Sequence, residues 1–173
     1  MSFSSDVAQP PEEKKETTRL WQEQPDKAKG KPSVKARSDG SQAIVEAGSF
    51  SWRADLPQPL GGTNQAPSPT ALLLSALAGC AVVFIRDTLA PQMGIRVEAV
   101  EATAQCEADS RGLLAMAGVA PDLQNIQLSI QVQSPDEDDK VQELYQAWRA
   151  RCPIYLALIK PLQVTTHLEV KRS

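Results

Sequence analysis

Polar and apolar residues alternate with a period of two over Ile126-Gln127-Leu128-Ser129-Ile130-Gln131-Val132-Gln133. That spacing puts every apolar side chain on one face of an extended chain and predicts a half-buried strand. A different pattern holds upstream. Residues 71–85 form an almost unbroken apolar run, opened by Ser68-Pro69 and closed by Arg86-Asp87. Ser68 suits a helix N-cap, and Pro69 suits the first helical position, where a missing N–H is harmless. A helix apolar on nearly every face predicts a central helix, wrapped by sheet on several sides and ending before Pro91.

The remaining elements follow from the same two periods. Short strands are predicted over residues 33–37, 41–47 and 49–55, a meander punctuated by Ser38-Asp39-Gly40 and Gly48. The prolines of residues 56–62 cannot continue a central strand, because they donate nothing to the ladder. Residues 94–106 read as a strand and Asp109-Ser110-Arg111-Gly112 as a turn. A second helix opens at Asp136, with Glu137, Asp138 and Asp139 in its first turn and Arg149 and Arg151 in its last. Those charges complement the helix dipole, and Val141, Leu144, Tyr145 and Trp148 supply one apolar stripe. Cys152-Pro153 begins a third, short helix through Lys160, and residues 162–170 alternate again as a final strand. Residues 1–31 are a charged N-terminal segment, either a tail or a short helix near residues 13–22 that docks Leu20 and Trp21. Residues 32–173 are expected to form one domain of α+β class.

Composition narrows the partners. A chain of 173 residues can bury a core without staples. Its net charge of -3 and the lack of a dominant basic cluster argue against nucleic acid or a membrane surface. Met1-Ser2-Phe3-Ser4-Ser5-Asp6 lacks a signal pattern, and fifteen apolar residues fall short of the roughly 20 a membrane span needs. Three cysteines without close pairing do not make a secreted disulfide framework. The expectation is a cytoplasmic protein in a reducing compartment.

In such a compartment, spaced cysteines are buried filler or redox groups. Cys152 precedes proline and so falls at a helix cap, where free N–H groups and the dipole favour a thiolate, with Arg149 and Arg151 nearby. Cys80 lies inside its helix and needs a cation or donor brought by tertiary structure. On these grounds Cys152 is the easier thiol to ionise. Cys106 is in phase with Val100, Ala102 and Ala104 and reads as a small buried hydrophobe. His167, the only histidine, shares a polar strand face with Gln163, Thr165 and Glu169. One histidine without clustered carboxylates builds neither a zinc site nor a Ser-His-Asp triad, so no metal or cofactor is expected. Gly61-Gly62 reads as a tight turn.

The segment Leu60-Gly61-Gly62-Thr63-Asn64-Gln65-Ala66-Pro67-Ser68-Pro69, with Leu72 to Cys80 after it, resembles the active-site loop and helix of the OsmC/Ohr family. Cys152-Pro153-Ile154-Tyr155 resembles that family's second cysteine signature, and the resemblance spans residues 33–170. It implies an OsmC-like fold: antiparallel sheets wrapped around two central helices in an intertwined homodimer. It implies that Cys80 is the peroxidatic cysteine, attacking a hydroperoxide to become a sulfenic acid, and that Cys152 resolves it as a disulfide. A dithiol or a lipoylated protein would then restore both thiols. The family's thiolate-activating arginine comes from the N-terminal strands, where Arg37 is the first candidate and Arg53 the second.

One departure separates the chain from the organic hydroperoxide resistance branch. Family peroxidases carry a glutamate ten positions before the first cysteine, and Thr70 stands there in this chain. The sequence therefore resembles the OsmC-like branch more closely. Two functions compete: a hydroperoxide reductase, and a non-catalytic dimer that binds a small apolar ligand. A thiol-dependent hydrolase or transferase is disfavoured, because no histidine is placed as a base.

Overall fold

The computed structural model describes residues 12–172. Helix α1 (Glu12–Glu23) occupies the stretch for which a tail or a short helix was expected, while residues 1–11 of that segment lie outside the described residues. Lys14 of α1 donates to the carbonyl of Asp87, tying the helix to the domain.

Strands β1 (Lys35–Asp39), β2 (Gln42–Ala47) and β3 (Phe50–Ala54) form the meander, antiparallel and in the order β1-β2-β3. Asp39 pairs with Gln42 and Ala47 with Phe50, so each hairpin turns on two residues. Gly40 and Gly48 take the positive φ values, near 60°, that such tight turns demand. The second sheet pairs β4 (Ala99–Glu107) with β5 (Gln124–Gln133), antiparallel, with Ala102 opposite Ile130 and an irregularity at Gln105/Glu107. Between them runs α4 (Ser110–Leu113), a single turn capped by Asp109 where a simple turn was expected.

The helical rod that begins with α2 (Pro69–Phe84) does not stop before Pro91. A π-helical turn over Ile85–Leu89 leads into α3 (Ala90–Met93), and the rod ends at Gly94, whose φ of 65° closes it. The widened turn accommodates a ring that lacks the donor an α-helix needs. Strand β4 accordingly starts at Ala99 rather than at Gly94. The whole rod, Pro69–Met93, has 25 residues and is long and apolar enough to cross a membrane by length and composition. One of its faces carries the core of the domain. Ala81, Ile85, Leu89 and Ala90 pack with Ile95, with Leu144 and Trp148 of α5 (Asp138–Arg151), and with Cys152. The inner faces of β4 and β5, through Val100, Ala102, Leu128, Ile130 and Val132, close that core.

Three further expectations are corrected. The central helix is not wrapped by sheet on several sides within one chain: only Leu77 and Ala81 of α2 are buried, and Leu73 and Val83 are exposed. Residues 162–170 form no strand: a strand needs a ladder partner, and they pair with neither the three-stranded nor the two-stranded sheet. Leu162, Val164, Leu168 and Val170 are left 63–83% exposed, and His167 is exposed with them rather than on a strand face. Helix α5 starts at Asp138 rather than Asp136, because the Asp136 carboxylate is taken by the backbone N–H (2.8 Å) and guanidinium (2.9 Å) of Arg96.

Candidate active site

The loop that delivers α2 is built around Asp55, one residue beyond β3 and 3% exposed. Its carboxylate accepts hydrogen bonds from the backbone N–H groups of Leu56 (2.7 Å), Thr63 (3.1 Å) and Gln65 (2.9 Å). It also accepts from the Thr63 hydroxyl (2.6 Å) and the Gln42 amide (3.3 Å). The Gln65 N–H, helped by the Thr63 hydroxyl, outweighs burial and holds the carboxyl far below the usual carboxylate range. Gly62 fits because it has no Cβ: one placed there would lie 1.9 Å from the Leu56 carbonyl oxygen. The Asp55 N–H then donates to the Pro67 carbonyl (3.1 Å), so the loop closes immediately before Ser68. Ser68 Oγ accepts from the Ala71 N–H (3.1 Å), the cap its position predicts. Sequence reasoning missed Asp55. Its signal was an acid ending a strand, followed by a Pro/Gly loop whose N–H groups lack a ladder.

Three turns into α2 stands Cys80, half-buried on the flank of the core. Cys152 sits between α5 and α6 (Pro153–Ile159) in an extended conformation, its N–H bonded to the Trp148 carbonyl (2.8 Å) and its own carbonyl accepting from Leu156 (3.0 Å). The connection places its side chain fully inside the core. The two sulfurs lie 3.2 Å apart, and both are free thiols. A disulfide needs about 2.0 Å, so a small side-chain movement would join them.

Electrostatics at the pair act on Cys80, the thiol expected to need help from tertiary structure. Burial pushes the Cys80 thiol up to about 11, and the neighbouring Cys152 sulfur acts in the same direction. The opposing influence is the backbone N–H of Ile154, in the first turn of α6, which favours the Cys80 thiolate. The helix that starts at Cys152 thus assists the other cysteine. The cations next to Cys152 in sequence face elsewhere. Arg151 reaches the Gln92 side chain (3.4 Å), and Arg149 lies over the Tyr145 ring at 5.9 Å with the Tyr155 hydroxyl 3.5 Å away.

The N-terminal arginines stay within the meander. Arg53 is held by Asp39 (2.8 Å) and by the Gln42 side-chain oxygen (2.8 Å), and Arg37 is exposed on β1 opposite Ile44. Neither hydrogen-bonds to a thiol among the described residues. Thr70, one position beyond Pro69, is half-buried in the first turn of α2. Cys106 is half-buried on the inward face of β4. Among the described residues no cluster of three or more His, Cys, Asp or Glu side chains stands ready for a metal ion.

Beside the thiol pair opens an apolar groove of about 380 Å³. Leu77, one turn before Cys80, and Trp148 and Tyr155, one turn either side of Cys152, line it together with β5. Trp148 stacks on Tyr145 (6.0 Å between centroids) and meets Tyr155 at 5.1 Å. Periodicity had placed Trp148 on an apolar stripe, but the wall formed with Tyr155 and β5 exists only in the folded chain.

Comparison with solved structures returns the same fold. An OsmC-like protein from Mycoplasma pneumoniae superposes with a TM-score of 0.63 at 21% identity, covering 75% of this chain and 87% of that one. An organic hydroperoxide resistance protein OsmC from Legionella pneumophila gives 0.57 at 22% identity, covering 75% and 90%. An organic hydroperoxide resistance protein from Elizabethkingia anophelis gives 0.54 at 16% identity, covering 76% and 89%. No curated protein sequence matches the chain significantly. The family model described as OsmC-like protein matches residues 62–167, which include the Asp55-closed loop from Gly62 onward, both cysteines of the pair and the connecting sheet. The chain belongs to the OsmC family.

Proposed function

We propose that the protein is a cysteine-based hydroperoxide reductase acting through Cys80 and Cys152. The observation that carries this reading is the 3.2 Å separation of the two sulfurs, one of them half-buried and one fully buried. The Cys80 thiolate attacks the terminal oxygen of an organic hydroperoxide, the O–O bond breaks, and the alkoxide leaves to take a proton as the alcohol. Cys80 becomes a sulfenic acid. The Cys152 thiol then displaces water from it, forming the disulfide. A dithiol, free or lipoyl-bound to a protein, reduces that disulfide and is itself oxidised. Apolar walls at Leu77 and Trp148 suit an organic peroxide. The relatives named as organic hydroperoxide resistance proteins support the reading at the level of the fold.

The acting form is a homodimer in the cytoplasm. Support comes from the uncovered face of α2, where Leu73 and Val83 are exposed and a Cβ at Gly79 would meet nothing within 4 Å. The unpaired apolar residues of the 162–170 segment support it further. The second copy also brings the activating arginine, Arg37 or, as second choice, Arg53, to a thiol that burial otherwise keeps protonated. A second reading, a non-catalytic dimer that binds a small apolar ligand, is favoured by the raised Cys80 thiol and by Thr70.

One experiment separates them. Reduced protein receives one equivalent of cumene hydroperoxide, and disulfides are mapped by mass spectrometry in wild type and Cys80→Ser. A Cys80–Cys152 disulfide within seconds, absent from the variant, is the expected result. Thiols unmodified after minutes sink the peroxidase.

A further inference from the structure

The two thiols also form a pair able to chelate. Their sulfurs stand 3.2 Å apart, wider than a disulfide of about 2.0 Å. Two thiolates on a tetrahedral zinc, with bonds of about 2.3 Å, are spread to about 3.8 Å. Bonds of the same length meeting near a right angle bring the sulfurs to about 3.3 Å. Such an angle belongs to a pyramidal, three-coordinate centre that keeps a lone pair, as trivalent arsenic does. Arsenic in that state is also soft and prefers sulfur.

The number of ligands narrows the class further. Among the described residues no third His, Cys, Asp or Glu joins the pair, and Cys106 stands apart from it. Tetrahedral zinc is left two protein ligands short, and inorganic arsenite one. An organoarsenical carries carbon in its third position, so two thiols complete it. Cys152 is held in place before any ligand arrives: its N–H donates to the Trp148 carbonyl (2.8 Å), and its carbonyl accepts from the Leu156 N–H (3.0 Å). Its side chain is fully enclosed while Cys80 is half-buried, so the organic substituent points out on the Cys80 side.

We propose that Cys80 and Cys152 are a chelating site for trivalent organoarsenicals. In the capture of a hydrated aryl arsenic oxide, two As–O bonds break and two As–S bonds form. Each thiol proton departs with a hydroxyl group as water. Arsenic stays trivalent, and neither sulfur is oxidised. Capture needs no peroxide and no activating arginine, so it goes beyond the hydroperoxide reductase reading and does not depend on it.

The probe is phenylarsine oxide, one equivalent added to the full-length reduced protein with 2-mercaptoethanol present, and the readout is native mass spectrometry. One phenylarsenic group per chain is expected, in Cys106→Ser as in wild type. Removing either partner removes the chelate, so Cys80→Ser and Cys152→Ser should each weaken capture at least about 100-fold. Cys80→Ser, at the half-buried position, carries the test if the core variant does not fold. Inorganic arsenite and zinc chloride should both bind more weakly than the probe. Absence of the adduct, an adduct that survives Cys80→Ser, dependence on Cys106, or equal affinity for arsenite would each overturn the proposal. Cumene hydroperoxide given to arsenical-free protein reports the peroxidase separately. A disulfide formed there without arsenical capture defeats only this proposal, and capture without that disulfide defeats only the peroxidase.

Discussion

The sulfurs of Cys80 and Cys152 lie 3.2 Å apart although 72 residues separate them in the chain. Two helices must hold their positions for this to occur. Helix α2 presents Cys80 from the side of the core, and the break between α5 and α6 turns Cys152 inward. Burial protects Cys152, while Cys80 keeps access to solvent. That asymmetry supports the attacking and resolving roles of the proposed mechanism.

Removal of either sulfur should therefore fail differently. Cys80→Ser is expected to lower hydroperoxide consumption by about 10²-fold or more. Cys152→Ser should still consume one equivalent, leaving a Cys80 sulfenic acid that dimedone traps and mass spectrometry detects. Equal loss of the first turnover in both variants would remove the assigned roles.

The uncovered apolar surfaces predict an assembly. Val164→Asp combined with Leu168→Asp should convert a dimer to a monomer, read by light scattering across a chromatographic peak. An unchanged mass would mean that residues 162–170 are not part of the contact.

The pH dependence of Cys80 follows from its burial. With the thiol at about 11, alkylation by iodoacetamide in the monomeric variant should rise about tenfold per pH unit from about pH 7 to about pH 10. In the dimer an arginine from the second copy should bring the plateau to lower pH. Identical profiles in the two forms would exclude an activating cation at the interface.

Asp55 predicts an acid limb in stability. Its folded carboxyl titrates far below its unfolded value, so its contribution is present above about pH 4 and is lost as pH falls towards the folded value. Asp55→Asn should lower the melting temperature by several degrees at neutral pH and flatten the dependence on acid. An unaltered acid limb would contradict the hydrogen-bonded cage.

Gly62→Ala tests the same loop from the backbone side. A Cβ 1.9 Å from the Leu56 carbonyl oxygen forces the loop apart, at a cost of about 1–3 kcal/mol. Gly79→Ala meets open space in the single chain and should be tolerated by the monomer, where it adds helix propensity. Denaturant titration of both variants checks the contrast.

Local chemistry alone specified much of this protein. Tight glycine turns set the meander, Ser68-Pro69 set the start of α2, and alternation set β5. These features involve neighbours in sequence, so their physics is visible there. The motif around Cys80 and the Cys152-Pro153 pair likewise marked the two thiols and the family. What tertiary structure decided depends on groups far apart in the chain. Five donors converge on Asp55 from three segments, and the Ile154 N–H serves Cys80 rather than the cysteine that opens its helix. The alternating residues 162–170 remain unpaired because alternation states which face is apolar but not whether an edge lies within reach. A thiol's pKa, a groove and a strand's partner are properties of space around a residue, and only the folded chain defines that space.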